Sequence, residues 1–148
     1  MTPFLNFIEQ LSLAVWVGAI VFFTLFTAPV LFQRLNEEDA TRIIRILFPR
    51  YYLLGTVCSF LVAGVQLARG FLWFWGGMIG LAAAMFLLLG ALNLYARQVL
   101  APAINRARDA GPAEKKRFSA LHLRSVAINA FTLIACVAYL IWMAGRGY

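Results

Sequence analysis

Charged positions are so unevenly spread along this chain that it divides into four long uncharged stretches separated by charged ones. The longest covers residues 71–96, 26 positions without an Asp, Glu, Lys or Arg. Residues 11–32 (22 positions), 51–68 (18) and 125–145 (21) repeat the pattern. Crossing a hydrocarbon core of about 30 Å as a helix takes roughly 20 apolar residues. The pattern predicts an all-α, polytopic membrane four-helix bundle forming a single domain, 1–148. Its spans are expected at about 8–32, 51–68, 71–97 and 124–145.

Between the first and second stretches the period changes. Asn36 is a suitable cap, and Glu37, Glu38 and Asp39 occupy a first turn, where the helix dipole favours acids. Ala40, Ile43, Ile44, Leu47 and Phe48 then follow helical spacing, with Thr41, Arg42 and Arg45 opposite. This predicts an amphipathic helix lying in the headgroup layer and ended by Pro49. A second such helix is expected from Pro112, carrying Lys115, Lys116 and Arg117 opposite Phe118 and Leu121. Here His122 stands in place of the proline, so this helix can run straight into the last span. The two halves correspond at an offset of 73 residues, which pairs Ala28-Pro29 with Ala101-Pro102 and Phe48 with Leu121. Two tandem transmembrane hairpins are thus expected, parallel rather than inverted.

Composition agrees: 63% of residues are hydrophobic and 13% charged, against about 25% charged in a soluble domain. The net charge of +7 changes meaning once it is located. Eleven of the 13 Lys and Arg lie in the two inner loops, and only Arg69 and Arg146 lie at the other side. Basic residues near span ends stay cytoplasmic, so both loops are expected inside and both termini outside. Contact with anionic lipid at those loops is implied, and nucleic acid binding is not. No basic region or small-residue cleavage site marks the first stretch as a signal peptide, so it is expected to be retained. Cys58 and Cys136 fall within spans as small buried side chains.

The most informative polar pattern is on the fourth span. His122, Ser125, Asn129 and Thr132 recur at helical spacing with Cys136. They form one stripe from the inner surface towards the membrane centre, with Asn93 and Arg97 of the third span as facing partners. Such a stripe is either hydrogen-bonded glue or a pathway, and glue is the expectation. Asn6, Glu9 and Gln10 make an outer-face polar cluster, in which Glu9 is the only acid outside the inner loops. It is expected at the headgroup boundary, with proton or cation acceptance as the alternative. Phe71, Trp73, Phe74 and Trp75 nearby suggest an aromatic belt. Small residues every four positions (Ala14/Gly18, Gly55/Ser59/Ala63, Gly76/Gly80/Ala84) read as packing ridges, the last also as a homodimer seam. Pro29 and Pro102 take donors away from the carbonyls of Leu25 and Gln98. No enzyme motif is present, and neither a catalytic residue, a metal site nor a cofactor is expected.

Residues 13–18 (LAVWVG), 21–23 (VFF) and 28–32 (APVLF) resemble the start of a small bacterial membrane family of unknown function, similar to human transmembrane protein 205. So do 47–52 (LFPRYY) and 121–126 (LHLRSV), followed by Asn129. The resemblance spans nearly the whole chain, implies four helices in a bacterial inner membrane, and supplies no activity. A vaguer similarity is to copper-resistance membrane proteins, from which this chain departs by carrying Glu9 where those tend to have histidine. The expected function is a non-enzymatic inner-membrane bundle acting as a partner or accessory subunit of a membrane complex, or as a homo-oligomer. The alternatives are a small transporter or metal- or drug-tolerance factor, and a haem- or metal-binding membrane protein using His122.

Overall fold

The computed structural model of the protein describes residues 2–73 and 76–145, and these are helical almost throughout. Phe74, Trp75 and Arg146, named above, lie outside them. The first rod runs through α1 (Thr2–Phe22), a π-helical turn (Phe23–Thr27) and α2 (Ala28–Arg34). The second is a single helix, α3 (Glu37–Leu72). The third repeats the first: α4 (Gly77–Tyr95), a π-helical turn (Ala96–Leu100) and α5 (Ala101–Asp109). A 3-10 turn (Gly111–Glu114) leads into α6 (Lys115–Ala144). Each rod is long and apolar enough to cross a membrane.

Both prolines sit just after a π-helical turn. In each, the residue before the proline donates five positions back, Ala28 to Phe23 and Ala101 to Ala96. A proline inside an α-helix clashes with the carbonyl four residues earlier. One extra residue in the turn widens it and moves that carbonyl aside, so the rod bends without breaking.

Pro49 does not end a helix. It lies inside α3, which is capped by Asn36 accepting from the Asp39 amide. The expected surface helix is therefore the first turns of the second span. Of its apolar face, Ala40 and Ile44 are buried within the protein and Ile43, Leu47 and Phe48 are half-buried. On the opposite face Arg108 donates to Thr41 Oγ1 at 2.8 Å, so α5 lies against the first turns of α3. The second inner helix does run unbroken into α6, as the absence of a proline predicts.

The 73-residue offset holds for burial. Every buried residue of α6 (Ser125, Thr132, Cys136, Tyr139, Met143) stands 73 positions after a buried residue of α3 (Tyr52, Ser59, Ala63, Gln66, Gly70). Glu9, Leu13, Trp16 and Ile20 of α1 likewise precede buried Ala82, Phe86, Leu89 and Asn93 of α4. Two pairs of equivalents meet directly, Tyr52 with Ser125 and Gln66 with Tyr139, each 73 apart. Residues near a two-fold axis touch their own counterparts, so the polar faces of α3 and α6 line such a pseudo-axis.

The small-residue ridges behave differently from one another. A Cβ at Gly55 would come within 2.4 Å of the Trp16 ring, so α1 and α3 meet there at close quarters. Gly18 and Gly80 have nothing within 4 Å of a Cβ, and those two ridges do not pack within the chain.

Candidate functional site

Glu9 is completely buried. It does not face the surroundings of the bundle, because side chains of α3 and α6 close over it. Helical spacing places Asn6 and Glu9 on one face of α1, and Gln66 and Arg69 on one face of α3. Tyr139 enters from α6. The Tyr139 hydroxyl donates to Glu9 Oε1 at 2.5 Å, and the Gln66 amide nitrogen donates to the same oxygen. Gln66 Nε2 also donates to the Tyr139 hydroxyl at 2.6 Å. Arg69 Nη2 lies 2.6 Å from Glu9 Oε2, as an ion pair, and donates to Asn6 Oδ1 at 2.7 Å. Phe86 meets the Tyr139 ring edge-on, with centroids 5.0 Å apart. Gln10 is exposed and takes no part.

A carboxylate taken from water costs several kcal/mol even after the protein relaxes. Here that cost is offset by one guanidinium and two neutral donors, so the cluster ties α1, α3 and α6 together at the end where α1 begins and α3 and α6 finish. An ionisable group inside a membrane bundle is expensive, faces the interior and marks a functional position by default.

The stripe on α6 meets α3 rather than α4. Tyr52 and Ser125 share a hydrogen bond of 2.7 Å, and the Tyr51 hydroxyl donates to Asn129 Oδ1 at 3.2 Å. Thr132 is buried with its Oγ1 unpartnered. Asn93 does not face this stripe: it donates to the Leu89 carbonyl of its own helix, and its Oδ1 points at Gly55. Arg97, half-buried in the second π-helical turn, joins neither set. His122 stacks on Phe118 and borders a cavity of about 100 Å³ at the opposite end of the bundle, which reaches Ser125 and stops short of Asn129. Between the two polar centres, Trp16 Nε1, Ser59 Oγ and Asn93 Oδ1 are also buried without a protein partner. Polar groups therefore recur along the whole length of the bundle interior. Cys58 and Cys136 are buried free thiols. Met78 and Met85 line an apolar crevice between α4 and α6.

Sequence reasoning missed Gln66, Tyr51, Tyr52 and Tyr139, and took Arg69 for a topology charge. One signal was available: Gln66 and Arg69 stand three apart at the outer end of a span, one turn from matching Asn6 and Glu9.

Residues 11–113 match the model of a family described as a domain of unknown function, DUF4149. The matched stretch contains Gln66 and Arg69; Glu9 and Tyr139 flank it. No curated protein and no solved structure matches the chain.

Proposed function

Since the chain belongs to the DUF4149 family, which assigns no activity, we propose a role from the site itself: a small proton-linked membrane transporter. The observation that carries this reading is the fully buried Glu9, the only acid outside the inner loops, held by Arg69, Gln66 and Tyr139. While Glu9 is charged, it clamps the outer ends of three helices. Once it is protonated, the attraction to Arg69 is lost, and Arg69, about one-fifth exposed, turns outward to the headgroups. Closed and open outer ends then differ by one proton, which is the differential interaction a switch requires. The polar groups between Glu9 and Ser125 supply the interior such a path needs.

The test uses proteoliposomes with a trapped pH dye and a potassium diffusion potential. The wild type should carry protons down the potential, and Glu9→Gln should slow this at least tenfold while remaining folded. Wild-type rates equal to those of empty liposomes, or a fully active Glu9→Gln, would sink the reading.

A second reading, a non-enzymatic subunit of a membrane complex or homo-oligomer, is supported by the uncovered Gly76/Gly80/Ala84 ridge. Small residues there allow another helix to approach closely. Substituting Gly80→Leu should then abolish co-purification of a partner or second copy; an unchanged assembly state would remove this reading.

A further inference from the structure

The cavity beside His122 lies on the pseudo-two-fold axis of the repeat. Four pairs of positions 73 apart contribute to its wall: Ala28 with Ala101, Phe32 with Asn105, Arg45 with Phe118, and Tyr52 with Ser125. The cavity lies where the segments after the two π-helical turns contribute its walls, α2 with Ala28 and Phe32 and α5 with Ala101, Ile104, Asn105 and Arg108. Ala28 and Ala101 are alike, but Phe32 is paired with Asn105 and Arg45 with Phe118, so each half gives one aromatic and one polar or cationic side chain.

The polar part of the lining consists of hydrogen-bond donors, with Arg45, Arg108, His122 and Asn105 alongside the Tyr52–Ser125 pair. Among the described residues that line it, none is acidic. Arg45 is ion-paired with Asp109 through its terminal nitrogens, while its Nε is buried without a partner. Arg108 reaches Thr41 Oγ1 at 2.8 Å and lies 4.7 Å over the Phe118 ring, which hold the guanidinium in place. On its other side it borders an open depression that Glu37, Glu38 and Asp109 also line, with no salt bridge from them to Arg108 among the described residues. The rest of the wall is apolar, chiefly Phe23, Phe32 and Phe48. At about 100 Å³ the cavity is smaller than the roughly 150 Å³ that holds benzene in an engineered core, and far below the ~300–1,000 Å³ of drug-sized pockets. It has room for one small charged head, with the remainder of the molecule outside. Phe32, about half exposed, forms an apolar exit towards the lipid.

We propose that this cavity binds a single anionic amphiphile, its phosphate or carboxylate held by Arg108, the Arg45 Nε–H and His122, its apolar chain leaving past Phe32. The site stands whether or not the protein transports protons. The same chemistry is offered by a membrane phospholipid and by a soluble alkyl phosphate.

Native mass spectrometry of the protein in neutral detergent decides between them and tests the site. Added phosphatidylglycerol should be retained as one bound molecule, and phosphatidylcholine should not. Displacement of that molecule by hexyl phosphate identifies a soluble amphiphile as a ligand; retention against it identifies the lipid. Arg108→Gln should weaken binding at least tenfold, and His122→Gln should weaken it less. Lys116→Gln removes the same charge from the same loop away from the cavity and should leave binding unchanged. Equal retention of both lipids, full binding by a folded Arg108→Gln, or an equal loss in Lys116→Gln would overturn the proposal. Should Arg108→Gln fail to fold, His122→Gln decides, and binding not weakened in it overturns the proposal.

Discussion

At the scale of single residues, Glu9 and Arg69 matter through each other. Removing one partner of a buried pair leaves an uncompensated charge and costs about 3–5 kcal/mol, whereas removing both can be nearly neutral. Arg69→Gln alone is therefore expected to be strongly destabilising, and adding Glu9→Gln to it should restore a large part of the loss. Reversible denaturation in mixed micelles measures this, and additive effects of the two changes would show that the pair is not coupled. Tyr139→Phe removes one neutral donor and should cost only about 0.6 kcal/mol, up to roughly 1.7, as inter-helix hydrogen bonds in membranes do. Glycines can be ranked similarly. At Gly55 a methyl group would strike the buried Trp16 ring and the Asn93 Oδ1, so Gly55→Ala should cost about 1–3 kcal/mol as an overpacked contact. At Gly90 it meets the ring of Phe60, which is 41% exposed and has room to swing. Gly90→Ala should therefore cost less, and thermal unfolding followed by tryptophan fluorescence will show whether the order holds.

At the scale of elements, α3 carries the most consequence. Pro49 breaks one rung of a helix that continues for 23 residues beyond it, and the Arg50 side chain reaches back to the Ile46 carbonyl at 3.4 Å. A proline inside a helix costs about 3 kcal/mol relative to alanine. Pro49→Ala should therefore raise the unfolding temperature. A lowered temperature would show that the proline is needed for the packing of the first turns of α3. The amphipathic turns give a paired comparison. Ile44 is buried and Ile46 is 53% exposed, so Ile44→Asp should destabilise the bundle while Ile46→Asp leaves folding intact. Equal protease sensitivity of the two variants would mean that protein does not cover this face in the membrane.

At the scale of the whole molecule, the distribution of charge sets the orientation. The 11-to-2 bias of Lys and Arg becomes more lopsided once Arg69 is seen to be half of a buried ion pair. Both basic loops are expected in the cytoplasm and both termini outside. Reporter fusions at Tyr148 and near Gly111 read this directly, and a cytoplasmically active fusion at Tyr148 would reverse the orientation. The repeat acts at this scale too, with one polar centre and the cavity at opposite ends of its axis.

Helix existence, number and approximate extent were determined by the sequence alone. In lipid the requirement for some 20 apolar residues per crossing is strong and local, and the long uncharged stretches meet or approach it. The 73-residue offset was also legible, because matching Ala-Pro steps mark matching bends. Tertiary structure alone decided which polar residues meet. Apolar periodicity is weak when lipid and protein interior are equally apolar, so no stripe announced that Glu9, Gln66, Arg69 and Tyr139 share one interior. Their sequence separations, 57 between Gln66 and Glu9 and 130 between Tyr139 and Glu9, are bridged only by helices packing side by side. The stripe on α6 was visible as a stripe, yet its partners proved to be tyrosines of α3 rather than Asn93 and Arg97, because a helix's neighbours depend on its rotation. Continuity through Pro49 was likewise decided in the fold, where α3 runs on past it with Ala40 and Ile44 buried before it and Tyr51 and Tyr52 after.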